Sequence, residues 1–126
     1  MNTISVSKDS EANEGLMQLA IDDILYIEYS RKPDRIIFHT MQEMYYSLGT
    51  LTYWQNALCN SGFNFRLVDR TNVINLDKIV QMDGVFHVAY FEEQITSQSK
   101  RCTMTHVRFE EIRKLLGIDT TSIVWR

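Results

Sequence analysis

The sequence predicts a mainly β domain of stacked antiparallel sheets with two or three short helices. Three observations lead there. Short runs of β-branched and aromatic residues recur along the chain, separated by polar turns. Only two stretches, around Leu51, Trp54 and Leu58 and over 106–117, carry apolar residues at helical spacing. The 126 residues are 44% apolar, enough for one core. Strands this short and numerous bury both faces only if their sheets stack or close.

Each element has its own signal. TISVSK (3–8) alternates and reads as a strand; DSEANEG (9–15) is a polar turn ending in glycine; LMQLA (16–20) completes a hairpin. IDDI (21–24) is a single helical turn, with Asp22 and Asp23 near its start where carboxylates favour the helix dipole. LYIEYS (25–30) is a strand, and RKPD (31–34) turns the chain, its proline lacking a backbone donor. RIIFHT (35–40) and EMYYSL (43–48) are strands joined around Met41 and Gln42. GTLTYWQNALCNSG (49–62) is an amphipathic helix stopped by Gly62.

FRLVDRTNVINLDKI (65–79) is two apolar runs broken by DRTN, a turn between buried strands, with Asn75 placed to satisfy backbone groups locally. KIVQMDG (78–84) and VFHVAYF (85–91) predict a hairpin with an Asp-Gly turn. A polar stretch (92–101) precedes a short strand, CTMT (102–105). HVRFEEIRKLLG (106–117) is a helix with Val107, Ile112, Leu115 and Leu116 facing inward and Gly117 as its C-cap. The tail 118–126 carries an apolar Ile-Val-Trp, either an edge strand or a contact with another copy. A single domain over 1–126, with its core at about 16–117, is expected.

Catalytic patterns are missing. His39 and His87 sit inside apolar strands without metal-ligand spacing and read as structural or surface residues. Cys59 and Cys102 form no paired motif and read as reduced, partly buried thiols. The adjacent pairs Asp22–Asp23 and Glu92–Glu93 point apart on any regular element, so they make poor acid–base couples. With no glycine-rich phosphate loop, neither an enzyme nor a cofactor is expected. No apolar run approaches the ~18 residues of a membrane helix, and no signal peptide opens the chain, so a cytoplasmic protein without membrane contact is expected.

Charge is unevenly placed. The formal net charge is −3, yet residues 1–30 hold one cation, Lys8, against six carboxylates. Residues 31–126 hold twelve cations against ten carboxylates, which leaves room for a phosphate-binding face.

The segment 65–79 resembles the signature of the LytTR family of bacterial DNA-binding domains. Phe65, the run RLVD, Arg70-Thr71, Val73-Ile74, Asn75-Leu76 and Ile79 carry the likeness. IDDILYIEYS, with Glu28, resembles the family's acidic turn and strand. YYSLGTLTYWQNAL resembles its strand-to-helix segment, and RCTMTHVRFEEIRKLLG its closing strand and helix. Together these run from about residue 3 to 117. The resemblance implies an elongated sandwich of antiparallel sheets, and DNA binding through loops that enter successive major grooves, usually at direct repeats. It further implies double-stranded DNA as partner, paired occupancy by two copies, and a role in transcription regulation. Only about twenty residues precede the core and a receiver domain takes a hundred or more. A stand-alone regulator is therefore expected, controlled by abundance, a protein partner or a ligand.

On this resemblance three loops contact DNA. Arg31, Lys32 and Arg35 in the first turn are either phosphate contacts or a solvated turn. In the second loop Arg70 pairs with guanine in the groove or with Asp69, and Thr71 donates to phosphate. In the third, His106 and Arg108 flank Val107, which stands where the family often has a basic residue. Lys100 and Arg101 nearby are phosphate contacts or solvated. Asp69, Asp34 and Val107 favour a rival reading, in which the domain has lost DNA binding and docks a partner regulator as an interaction module.

Overall fold

The computed structural model describes residues 2–118; the Ile-Val-Trp of the tail lies outside the described residues. Within them ten strands form three antiparallel sheets. β1 (Thr3–Val6) and β2 (Met17–Ala20) make the first hairpin. After a 3-10 turn at Ile21–Asp23 come β3 (Tyr26–Arg31), β4 (Asp34–His39) and β5 (Met44–Ser47). α1 (Leu51–Asn60) leads to β6 (Phe65–Asp69) and β7 (Asn72–Asn75). The central sheet has the order β5-β4-β3-β7-β6. β8 (Gln81–Asp83), β9 (Val88–Tyr90) and β10 (Arg101–Thr103) form the third sheet, and α2 (His106–Leu116) closes the chain.

Strand alternation makes the central sheet the middle layer, since successive side chains point to opposite faces. Along β3, Ile27 joins Val6, Leu19, Phe38, Leu51 and Leu58, under β1, β2 and α1. Its neighbour Tyr26 joins Met82, Ala89, Cys102, Phe109 and Ile112, under the third sheet and α2. Val73 and Ile74 of β7 divide in the same way. The expected stacked-sheet architecture is present. Its helix α1 starts on Thr50, whose hydroxyl accepts the Tyr53 N–H at 3.0 Å, an N-cap.

Four details depart from the sequence expectation. The β8–β9 turn is not a two-residue Asp-Gly turn: Asp83 pairs with Val88, leaving residues 84–87 as the loop. The Asp83 carboxylate is buried and accepts the Val85 and Phe86 N–H groups at 2.8 and 3.4 Å, bending the chain more widely. The β4–β5 connection likewise spans residues 40–43, since His39 pairs with Met44 and the Thr40 hydroxyl accepts the Glu43 N–H. On α2, Phe109 and Ile112 are buried and Leu116 packs partly against them, whereas Val107 and Leu115 are 66% and 59% exposed. The large Phe109 ring, three residues from Ile112 and seven from Leu116, sets the docked face, which turns Val107 outward. The thiols are also less alike than expected: Cys102 is buried and Cys59 exposed. Gly117 takes φ +66° as the C-cap, a left-handed conformation that costs other residues more.

Candidate nucleic-acid interface

β3 positions the candidate loops. It pairs with β4 on one side and β7 on the other, so the β3–β4 turn (32–33) and the β6–β7 turn (70–71) leave the same end of the central sheet. The Tyr29 N–H donates to the Thr71 carbonyl at 2.9 Å, tying the two turns together. The β10–α2 junction joins them because the Thr105 N–H donates to the Val68 carbonyl at 3.0 Å. A fourth loop, 84–87, lies beside that junction: the Met104 N–H donates to the His87 carbonyl at 3.0 Å. The sequence signalled a turn here but not that it joins this end, because that depends on β9 pairing with β10.

Asp69 fastens this end. One carboxylate oxygen accepts the Thr71 N–H at 2.8 Å and the Thr71 hydroxyl at 3.2 Å. The other accepts Asn72 Nδ2 and the Thr103 hydroxyl, both at 3.1 Å. Asn72 Nδ2 also reaches the Thr103 carbonyl at 3.3 Å. A bulge between Leu67 and Asp69 turns Val68 and then Asp69 toward the third sheet. The carboxylate is therefore committed to β10. It neither orients nor neutralises Arg70, as its place next to that arginine had suggested.

The basic residues sort into two groups. Arg31, Lys32 and Arg70 are exposed, and no side-chain hydrogen bond or ion pair holds them among the described residues. They lie on, or in the case of Arg31 immediately before, the two turns that β3 brings together. Arg70 borders a shallow depression with Tyr29, Asp34, Thr50, Thr52 and Leu67. Asp34 is engaged by the Tyr29 hydroxyl, a contact that raises the phenol pKa. His106 and Arg108 stand exposed at the start of α2, where Thr105 accepts the Arg108 N–H at 3.2 Å as N-cap. Arg108 also pairs with Glu111 at 3.1 Å, an exposed ion pair of small energy.

The others serve the fold. Arg35 donates to the Ser10 carbonyl at 2.6 Å and pairs with Glu11 at 3.1 Å, holding the 9–15 loop. Thr71 donates its hydroxyl inward to Asp69. Arg101 donates to the carbonyls of Thr96, Ser97 and Ser99 and lies over the Tyr90 ring at 5.3 Å. Lys100 is placed away from the turns. It donates to Nδ1 of His39, the last residue of β4, whereas the turn leaves the first, Asp34. Because an ammonium only donates, His39 carries its proton on Nε2, which donates to Glu28 at 2.8 Å. His39 also stacks on Tyr26 at 4.2 Å. Burial lowers the His39 pKa; the hydrogen bond from His39 lowers that of Glu28; burial lowers that of Lys100.

Among the described residues no cluster of three or more His, Cys, Asp or Glu side chains is poised for a metal, and no helix is long and apolar enough to cross a membrane. A cationic end built from turns suits a polyanion. The profile of the family described as the LytTr DNA-binding domain matches residues 14–117. A solved LytTr DNA-binding domain from Bacillus cereus superposes with a TM-score of 0.69 at 14% identity, over 94% of this chain and 99% of that one. At that identity the likeness is one of fold. No match is found among curated proteins.

Proposed function

Because this chain belongs to the LytTr DNA-binding domain family, we propose that it is a sequence-specific transcription regulator that grips duplex DNA with the loops at this end. One observation carries the reading further than the family does. Of the cations at or near the loops, Arg31, Lys32 and Arg70 carry no internal bond among the described residues, and all three sit on adjoining turns. A long side chain without an internal partner has its donors available for phosphate or a base edge.

Arg70 is the proposed base reader, its guanidinium suited to the O6 and N7 of guanine. Arg31 and Lys32 meet the flanking phosphates. His106 and Arg108 approach from the start of α2, Arg108 exchanging its exposed pair with Glu111 for a phosphate. Thr71, Arg35, Lys100 and Arg101 support the loops from within. Two copies on direct repeats would present the same loops to successive grooves.

Fluorescence anisotropy on a labelled operator duplex across a salt series tests this. Several phosphate contacts give a steep fall in affinity with salt. Arg31→Ala and Lys32→Ala weaken all duplexes alike and flatten that slope by about one unit each. Absence of duplex binding at low salt, with the protein folded, would instead favour an interaction module that docks a partner regulator.

A further inference from the structure

Of the three histidines, two meet at the loop end. Nδ1 of His106, at the start of α2, lies 3.2 Å from Nε2 of His87, in the loop between β8 and β9. The rings are tilted by 48° and their centroids are 4.8 Å apart. His87 is also held independently of this contact: its carbonyl accepts the Met104 N–H and its ring packs against Phe109 at 5.1 Å. His87 holds φ +54°, a conformation most residues avoid. Two imidazole nitrogens bound to one tetrahedral ion at ~2.05 Å sit about 3.3 Å apart, so the observed spacing is already the bite of a chelate.

We propose that His87 and His106 form a two-imidazole site for a late first-row divalent cation, such as Zn²⁺, that fastens the 84–87 loop to the start of α2. Imidazole suits these ions. In the neutral pair one ring donates its N–H to the other. On binding, that ring carries its proton on its other nitrogen instead, so both facing nitrogens offer lone pairs and no net proton is released. A small rotation of the rings turns the two lone pairs toward one point. With two protein ligands, water completes the shell, an open site rather than a closed structural one. Glu110 stands one turn further along α2 from His106. Its own carboxyl is held by Arg113 at 3.0 Å and stays outside the ligand set. On the DNA reading above, the ion adds positive charge at the duplex-facing end. The binding test needs no DNA, so the two readings fail separately.

The test is a ZnCl₂ titration of the intact chain, followed by calorimetry and by NMR of the histidine ring nitrogens. One ion per chain is expected. The ring signals of His87 and His106 should move while those of buried His39 stay, and chelator should reverse the change. His87→Asn, which tolerates the positive φ, and His106→Gln should each weaken binding by about tenfold or more. Both variants should keep the circular dichroism of the parent. Ring signals of His87 and His106 unmoved by millimolar Zn²⁺, or affinity unchanged in both folded variants, would reduce the pair to a simple N–H···N hydrogen bond.

Discussion

Asp69 and Arg70 are neighbours in sequence with opposite duties. Asp69 accepts four hydrogen bonds, one of them from Thr103 on another sheet. Arg70 makes none with its side chain among the described residues. Asp69→Ala should therefore cost about 2 kcal/mol of stability, because it strands donors that are partly shielded from water. Urea denaturation checks this; a change below about 0.5 kcal/mol, the scatter of ordinary surface substitutions, would contradict it. Arg70→Ala should do the reverse. It should leave the urea midpoint within that scatter while removing about 1–3 kcal/mol of specific DNA binding. Sequence alone leaves this division hidden, since the carboxylate's partner Thr103 lies 34 positions away.

Between elements, the contact from β3 and β4 to the 92–100 loop runs through Glu28, His39 and Lys100. This network should make stability depend on pH. An unfolded histidine gains its proton near pH 6.5, whereas burial holds His39 neutral in the fold to lower pH. Below about pH 6.5 the unfolded chain therefore binds more protons, and stability falls as pH falls. Glu28, held below its usual 4.5 by the hydrogen bond from His39, continues the loss at lower pH. Urea midpoints at pH 8 and pH 5.5 should differ in that direction, and His39→Gln should flatten the difference. An equal midpoint at both pH values in the parent protein would contradict the assignment. At α2, Thr105→Ala removes the N-cap and should cost about 1 kcal/mol, read in the same denaturation experiment. The existence of each strand and of both α-helices was legible from its period and its turn residues; the 3-10 turn at Leu76–Lys78, capped by Asn75, was not. The inward face of α2 was not, because a two-residue error in the apolar stripe hides Phe109. The 84–87 loop was not legible either, because Asp-Gly forms a tight turn only where the aspartate is not claimed by amides further along.

For the molecule as a whole, ten short strands bury their apolar faces by stacking three sheets, and the mainly β class, though not the strand count, was readable from alternation. Three separated loops converge because β3 lies between β4 and β7, and because Thr105 bonds back to Val68. That convergence gives a chain of net charge −3 a local cationic end, while its acidic front is occupied in part by Arg35 pairing with Glu11. Which cations remain available was not legible in the sequence, since Lys100 is claimed by His39, 61 positions away, and Arg101 folds back onto the carbonyls of its own loop. This end is proposed to read DNA sequence. Selection of bound duplexes from a random pool tests it most directly. Enrichment of a short motif containing guanine, repeated at a spacing of about one helical turn, is expected, with that guanine position relaxed when Arg70→Ala is used for the selection. A bound pool indistinguishable from the input at low salt, obtained with folded protein, would contradict it.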